Sequence, residues 1–160
     1  MTNIPLFIAD GDDAPRPDEK MVERDAITAV VRDPKTGKVI GLRWNTVNWY
    51  TLITGGIEDG QTAEEAARAE VTEETGYKNL RLVAELPRYE AKFYHHPKGV
   101  NRHAHFQCFL LELVDDERAG LTKDELAKHE PVWLDDAELA AFRLPEGHRW
   151  LMDFIQAEGL

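Results

Sequence analysis

The sequence predicts one mixed α/β domain, with a helix inserted among strands and more helix at the end. Three observations predict it. Short apolar, β-branched runs recur between turn formers. Residues 62–76 carry helix signals at both ends. The closing stretch reads as helix again.

Residues 1–20 are expected to form a mobile or irregular arm, because Ile8–Lys20 is acidic, proline-containing and rich in turn formers. The domain is expected over 21–160. Ala26–Val31 (AITAVV) is small, apolar and β-branched, as in a buried strand. Asp33–Gly37 is a turn by composition, and Val39–Trp44 is expected to return as a hairpin partner. A further strand is expected over Trp49–Ile53, ending in Gly55-Gly56. Leu80–Tyr94 and Arg102–Val114 read as two long strands joined by the turn His95–Asn101. Pro131–Leu134 is one more short strand, and Asp135–Phe142 and Glu146–Glu158 are closing helices.

The clearest helix is Thr62–Gly76. Thr62-Ala-Glu-Glu65 fits a capping box, with a hydroxyl at the cap and a carboxylate three residues on. Ala63, Ala66, Ala67 and Ala69 are strong helix formers, and Gly76 sits where a left-handed C-terminal cap belongs. Glu64 and Glu65 precede Arg68 at pairing distance on the outer face.

The bulk numbers exclude several functions. A chain of 160 residues builds one domain with a sizeable core. Its net charge of -11 opposes broad electrostatic binding to nucleic acid or an anionic membrane, so neither is an expected partner. No apolar run approaches the ~20 residues that span a bilayer. Nothing at the N-terminus resembles a signal peptide, so the expected location is cytoplasmic. Cys108 is the single cysteine, which excludes an internal disulfide and a cysteine-based zinc cluster. It reads as a small core residue.

The chemistry lies in Gly55–Tyr77, GGIEDGQTAEEAARAEVTEETGY. At ~100° per residue, Glu70, Glu73 and Glu74 share one helical face. Ala63, Ala66 and Ala67 continue that face, so the carboxylates extend a surface that should pack against something. Three such charges repel one another unless they share a cation, and oxygen ligands suit hard Mg²⁺ or Mn²⁺. A bound cation also lets an acidic protein hold a phosphate substrate. The glycine pair allows close backbone approach, so a carbonyl can act as a further ligand.

This segment resembles the Nudix box, G-x5-E-x7-R-E-U-x-E-E-x-G-U with U aliphatic. Here it reads Gly55, five residues, Gln61, seven residues, then Ala69-Glu70-Val71-Thr72-Glu73-Glu74-Thr75-Gly76-Tyr77. The resemblance implies a Nudix-type α/β/α sandwich with a mixed β-sheet, and a MutT-like hydrolase that cleaves a pyrophosphate bond. It implies Glu70, Glu73 and Glu74 as catalytic metal ligands, with a carbonyl from Gly55 or its neighbour. Magnesium is the implied cofactor, with manganese as the alternative, and a small-molecule nucleotide is the implied partner. Family members often dimerise, so a homodimer is carried as an expectation, although the sequence holds no signal for it. Outside the box, Glu125 is the candidate for taking a proton. Arg43, Trp49, Arg88 and Arg102 are the candidate substrate-binding residues. Trp44, Tyr50, Phe93, Tyr94, Phe106 and Lys92 are further options for stacking or phosphate contact. His95-His96 and His103-x-His105 flank one turn. In a strand, His103 and His105 share a face, where zinc or nickel coordination is conceivable beside the plainer role of solvated or cleft-facing histidines.

Three positions depart from the pattern. Gln61 stands for the first glutamate, Ala69 for the arginine and Tyr77 for the last aliphatic residue. A second reading follows, a nucleotide-binding or regulatory module with weak catalysis; the retained Glu70, Glu73 and Glu74 argue against it. Losing both members of a supporting charged pair can be nearly neutral, whereas losing one is costly. Gln61→Glu alone should therefore gain no stability, and should gain it once Ala69→Arg is added. Additive, independent effects in a double-mutant cycle of unfolding free energies would reject this compensation.

Overall fold

The computed structural model describes residues 3–160. In chain order the elements are β1 (Leu6–Ile8), β2 (Met21–Arg32), β3 (Val39–Trp44), β4 (Tyr50–Thr51), β5 (Ile53–Gly56), α1 (Ala63–Thr75), β6 (Leu80–His95), β7 (Val100–Leu113), α2 (Lys123–Lys128), β8 (His129–Leu134), α3 (Asp136–Ala141) and α4 (Glu146–Glu158). The strands form one mixed sheet along the path β1-β6-β7-β2-β3-β4, with β5 on β2 and β8 on β3. β2 and β7 run parallel from Met21↔Asn101 to Arg32↔Glu112. β6 and β7 form the long antiparallel hairpin that the sequence predicts.

β2 sorts the core by its alternation. Ala26 and Val30 face a cluster with Tyr89, Phe106, Leu151 and Ile155, which brings α4 onto one side of the sheet. Ile27, Ala29 and Val31 face a cluster with Ala66, Ala67 and Val71, which brings α1 onto the other. The result is an α/β/α sandwich. Its central strand has two buried faces, hence the unbroken apolar run. Each fully buried Val, Ile or Leu contributes about 1.5–3 kcal/mol. Cys108 lies in the α4-side core, as expected.

Three expectations change. First, β3 meets β2 only at Arg32↔Val39, because β5 occupies that edge of β2 from Ala26 to Ala29. β3 pairs instead with β8 along six residues, Val39↔Leu134 to Trp44↔His129. Second, the strand expected over Trp49–Ile53 is divided. β4 pairs with β3 and β5 with β2, and at Leu52 the backbone N–H leaves the ladder to donate to His148 Nδ1 at 3.1 Å. Third, the arm is docked. Met1 and Thr2 lie outside the described residues, but β1 runs parallel to β6, and Phe7 packs edge-on to Tyr89 with ring centroids 5.9 Å apart. Further along, Asn101 accepts from Arg16 N–H at 2.7 Å and donates to Arg16 O. The arm stays irregular between these anchors, apart from one 3-10 turn at Gly11–Asp13. Among the described residues, no helix is long and apolar enough to cross a membrane.

His148 ties α4 to the β4–β5 break. It is buried, and burial pushes its imidazole down to about 3. The native protein therefore holds it neutral, with Nδ1 as acceptor, while the unfolded chain protonates it near the ordinary value of 6.5. Protons then favour the unfolded state, so this group's stabilisation is present above about pH 6.5 and drains away as pH falls toward 3. His148→Asn keeps an acceptor and removes the titration. Between pH 7 and 5, wild type should lose about 2 kcal/mol more than the variant in urea unfolding. Parallel pH profiles would show that His148 is not buried neutral.

Candidate active site

Helix α1 is fixed at both ends as its sequence requires. Thr62 Oγ1 accepts from Glu65 N–H and the Glu65 carboxylate accepts from Thr62 N–H, completing the capping box. Gly76 closes the helix in the left-handed region at φ 85°. Arg68 pairs outward with Glu64 at 3.0 Å and donates to Leu80 O at 2.8 Å. Its guanidinium is thus committed, and it does not stand in for the arginine that Ala69 replaces. Ala66, Ala67 and Val71 bury the inner face and carry the glutamates to the edge of the sheet.

Glu70 lies directly against Gly55 of β5, where a Cβ would collide with its carboxyl group. Gly56, its neighbour, makes the same room for the guanidinium of Arg24 from β2. Only glycine permits these approaches. Glu74 is buried, its Oε2 has no hydrogen-bond partner, and its Oε1 lies 3.8 Å from His129 Nε2. Glu125 reaches in from α2, 3.4 Å from the same His129 nitrogen and 3.7 Å from Lys128. Glu73 is the exposed member.

Electrostatics marks the spot. Burial, then Glu73 and Glu125, push Glu70 up to about 7, with Arg24 acting against them. Burial, then Glu70 and Glu125, hold Glu74 well above the usual carboxylate range. His129 is held below its ordinary value by burial, which outweighs the pull of Glu125. Crowded, half-desolvated carboxylates and an orphaned Glu74 Oε2 suit a hard divalent cation, which supplies the missing positive charge. Glu70, Glu73 and Glu74 fit such an ion, with Glu125 beside them.

Gly55 and Arg24 also line a cavity of about 470 Å³. Its lining includes the rings of Trp44, Trp49, Tyr50, Phe93 and Phe106. Trp49 is held in place by a 2.9 Å hydrogen bond from its Nε1 to Asp13 and by edge contacts to Trp44, Phe93 and His95. The same lining carries Arg24, Lys92, Lys98, Arg102 and Arg143, with Asp10, Asp13 and Glu146 also on it. Among the described residues, neither Arg24 nor Arg102 has a salt-bridge partner, and buried Arg102 Nε lacks a hydrogen bond. His95 is pushed down to about 4, by burial first and then by Arg102, Lys98 and Arg24. An acidic protein has thus gathered unpaired cations in one cleft, an environment that attracts anions.

The structure sorts the sequence-derived candidates. Gly55, Glu70, Glu74 and Glu125 come together, with Glu73 at the rim; Trp49 and Arg102 line the adjoining cavity. Arg43 and Arg88 are not on that lining. Arg43 faces Glu130 across the β3–β8 pair and bonds it at 3.3 Å. Arg88 lies in the bulge between Leu86 and Tyr89, which turns it toward Gln107 at 3.1 Å. Tyr94 is likewise elsewhere, its ring under the Arg16 guanidinium at 4.3 Å. Glu125 sits on a short helix capped by Thr122. Gln61 closes the loop before α1 by accepting from Glu58 N–H at 2.9 Å. Tyr77 packs edge-on against Trp133 at 5.7 Å and lies under Arg118, so the aromatic departure fills a pocket of its own.

Sequence reasoning missed Arg24 and His129. Arg24 stands two residues before Ala26, so strand alternation already placed both on one face. His129 follows Glu125 at i+4, a signal available only once α2 is recognised.

The model of the NUDIX domain matches residues 22–154 of the chain. No curated protein sequence matches it. Several solved structures do. The E. coli dihydroneopterin triphosphate pyrophosphohydrolase is 23% identical, with a TM-score of 0.63, 82% of this chain and 95% of that one being covered. The NUDIX domain of Shewanella oneidensis NrtR, complexed with ADP ribose, is 12% identical with a TM-score of 0.66, covering 87% and 90%. A MutT NUDIX hydrolase from Burkholderia pseudomallei is 16% identical with a TM-score of 0.57, covering 82% and 97%. At these identities the likeness is one of fold.

The contact of Glu70 with Gly55 carries the geometry. Gly55→Ala is expected to cost about 1–3 kcal/mol in chelator, read by urea unfolding, because the new methyl displaces the carboxyl group. Gly120→Ala, where a Cβ meets nothing within 4 Å, should cost far less. Equal effects at the two glycines would contradict the packing.

Proposed function

The chain belongs to the NUDIX domain family, hydrolases of phosphorus-containing acid anhydrides, and we propose that its own reaction is metal-dependent cleavage of a nucleoside diphosphate linked to another group. One observation carries this reading: Gly55 both receives the Glu70 carboxyl group and lines the cavity that holds Trp49, Arg24 and Arg102. A carboxylate cluster that wants a cation therefore adjoins a cleft that wants an anion and offers rings for a base to stack on.

Glu70, Glu73 and Glu74 would hold the ion, magnesium or manganese, with the Gly55 carbonyl as a further ligand. Bound there, a divalent cation supplies activation of water and neutralises charge building on the phosphoryl oxygens. The chain's own groups do the rest. Arg24 and Arg102 bind the phosphates and keep them turned toward the glutamates. Trp49, Tyr50 and Phe93 take the base or another flat group. Glu125, steadied by His129 and Lys128, accepts the proton of the attacking water on its carboxylate. Two structural relatives support a phosphoanhydride ligand, since one is named for hydrolysis of a pterin triphosphate and another is complexed with ADP ribose.

The test is hydrolysis of a nucleotide panel with Mg²⁺ or Mn²⁺, products separated by ion exchange. Glu74→Gln should lower kcat/KM by about 100-fold or more. Arg102→Gln should raise KM with a smaller change in kcat, and Arg43→Gln should alter neither. Tight nucleotide binding with no turnover at any pH would replace the enzyme with a binding module.

A further inference from the structure

On the α1-side face of the sheet, away from the carboxylates of α1, lies a second group of ligands. β7 carries His103 and His105, which share a face by strand alternation. Glu23 of β2 is the register partner of His103, and Glu90 of β6 is the register partner of His105. The two imidazoles lie side by side, centroids 4.3 Å apart, between the two carboxylates. Glu23 faces one nitrogen of each ring, His103 Nδ1 at 2.8 Å and His105 Nε2 at 3.6 Å. Glu90 faces the other nitrogen of each, His103 Nε2 at 2.6 Å and His105 Nδ1 at 3.6 Å.

We propose that Glu23, His103 and His105 form a binding site for a zinc-class divalent cation, distinct from the carboxylate site on α1, with Glu90 as the carboxylate that orients His103 from behind. One ligand atom from each of the three lies within 4.8 Å of the others. Ligands about 2 Å from zinc sit roughly 3.4 Å apart at a tetrahedral angle. The Glu23–His105 separation already matches; the Glu23–His103 hydrogen bond opens by about half an ångström when the ion replaces its proton.

Glu90 makes the set more than two adjacent histidines. A ligating histidine characteristically donates its second N–H to a carboxylate, which fixes the ring and raises its basicity. Here Glu90 is hydrogen-bonded to His103 Nε2 at 2.6 Å and stands 3.6 Å from His105 Nδ1. The two glutamates bring negative charge that a divalent ion cancels. Nitrogen ligands direct the choice toward zinc or nickel, whereas the all-oxygen set of Glu70, Glu73 and Glu74 suits magnesium. All four residues stand on hydrogen-bonded strands, so the set is held without an ion, and Glu23, the most exposed, leaves an entry path. A further histidine–carboxylate group, Asp12, Asp13 and His96, is weaker, since Asp13 is engaged by Trp49 as well as by His96.

The experiment uses the full chain, stripped by chelator and held in excess Mg²⁺ so that the α1 carboxylates are occupied. Zn²⁺ is titrated by calorimetry, and Co²⁺ by its visible absorption. We expect one equivalent of Zn²⁺ and the strong bands of Co²⁺ in low coordination. His105→Gln should weaken Zn²⁺ by more than about 100-fold, and Glu90→Gln by about 10–100-fold. Glu74→Gln should bind Zn²⁺ as wild type does. Melting curves in chelator verify that each variant is folded. No Zn²⁺ uptake in excess Mg²⁺, unchanged affinity in folded His105→Gln, or loss of binding in Glu74→Gln would each overturn the proposal.

Discussion

Buried Glu74 and half-buried Glu70 are held beside Glu125, and like charges so placed repel unless a proton or a cation joins them. The surrounding fold is arranged to hold that repulsion in position. Both ends of α1 are capped, its alanine face is clamped to β2, and Gly55 leaves no slack behind Glu70. From the far side, His129 brings β8 and α2 to the same point, with Trp44 edge-on to its ring at 5.1 Å. A helix free to shift by one turn would relieve the charge. This one is fixed at its cap, its core face and its carboxylates at once.

The cavity repeats the logic with opposite sign. Arg24 stands between the two environments, lying over Gly56 and lowering Glu70 while repelling His95 and Arg102. Positive charge in the cleft and negative charge at its edge are both left without full partners in the protein. Those two deficits match the two charges of a metal–phosphate pair. His95, kept neutral by burial first and then by its cationic neighbours, presents an unpartnered Nδ1 among them.

Most of the fold was legible because its signals are local. The run Ala26–Val31 is apolar on both faces since β2 is covered on both faces. The long β6–β7 hairpin follows from two extended runs about one turn. Thr62, Glu65 and Gly76 act within a few residues of themselves, so the box helix ended where its caps said it would. Pairing was less legible. The hairpin of β3 with β2 failed because β5, reached through a long connection, competes for the same edge. The break at Leu52 depends on His148, far along the chain. The docked arm depends on Phe7, Asp13 and Arg16 finding Tyr89, Trp49 and Asn101, which lie far along the chain.

For the site, the sequence by itself determined which carboxylates share a face and that a glycine pair precedes them, because helix period and backbone freedom are properties of short segments. Only the tertiary structure decided which charges meet. It brought Glu125 beside Glu74 through His129, and set Arg24 and Arg102 on the cavity. It spent Arg43 and Arg88 on surface partners. Identical guanidinium groups were separated by register and by one β-bulge, and both depend on strands distant in sequence.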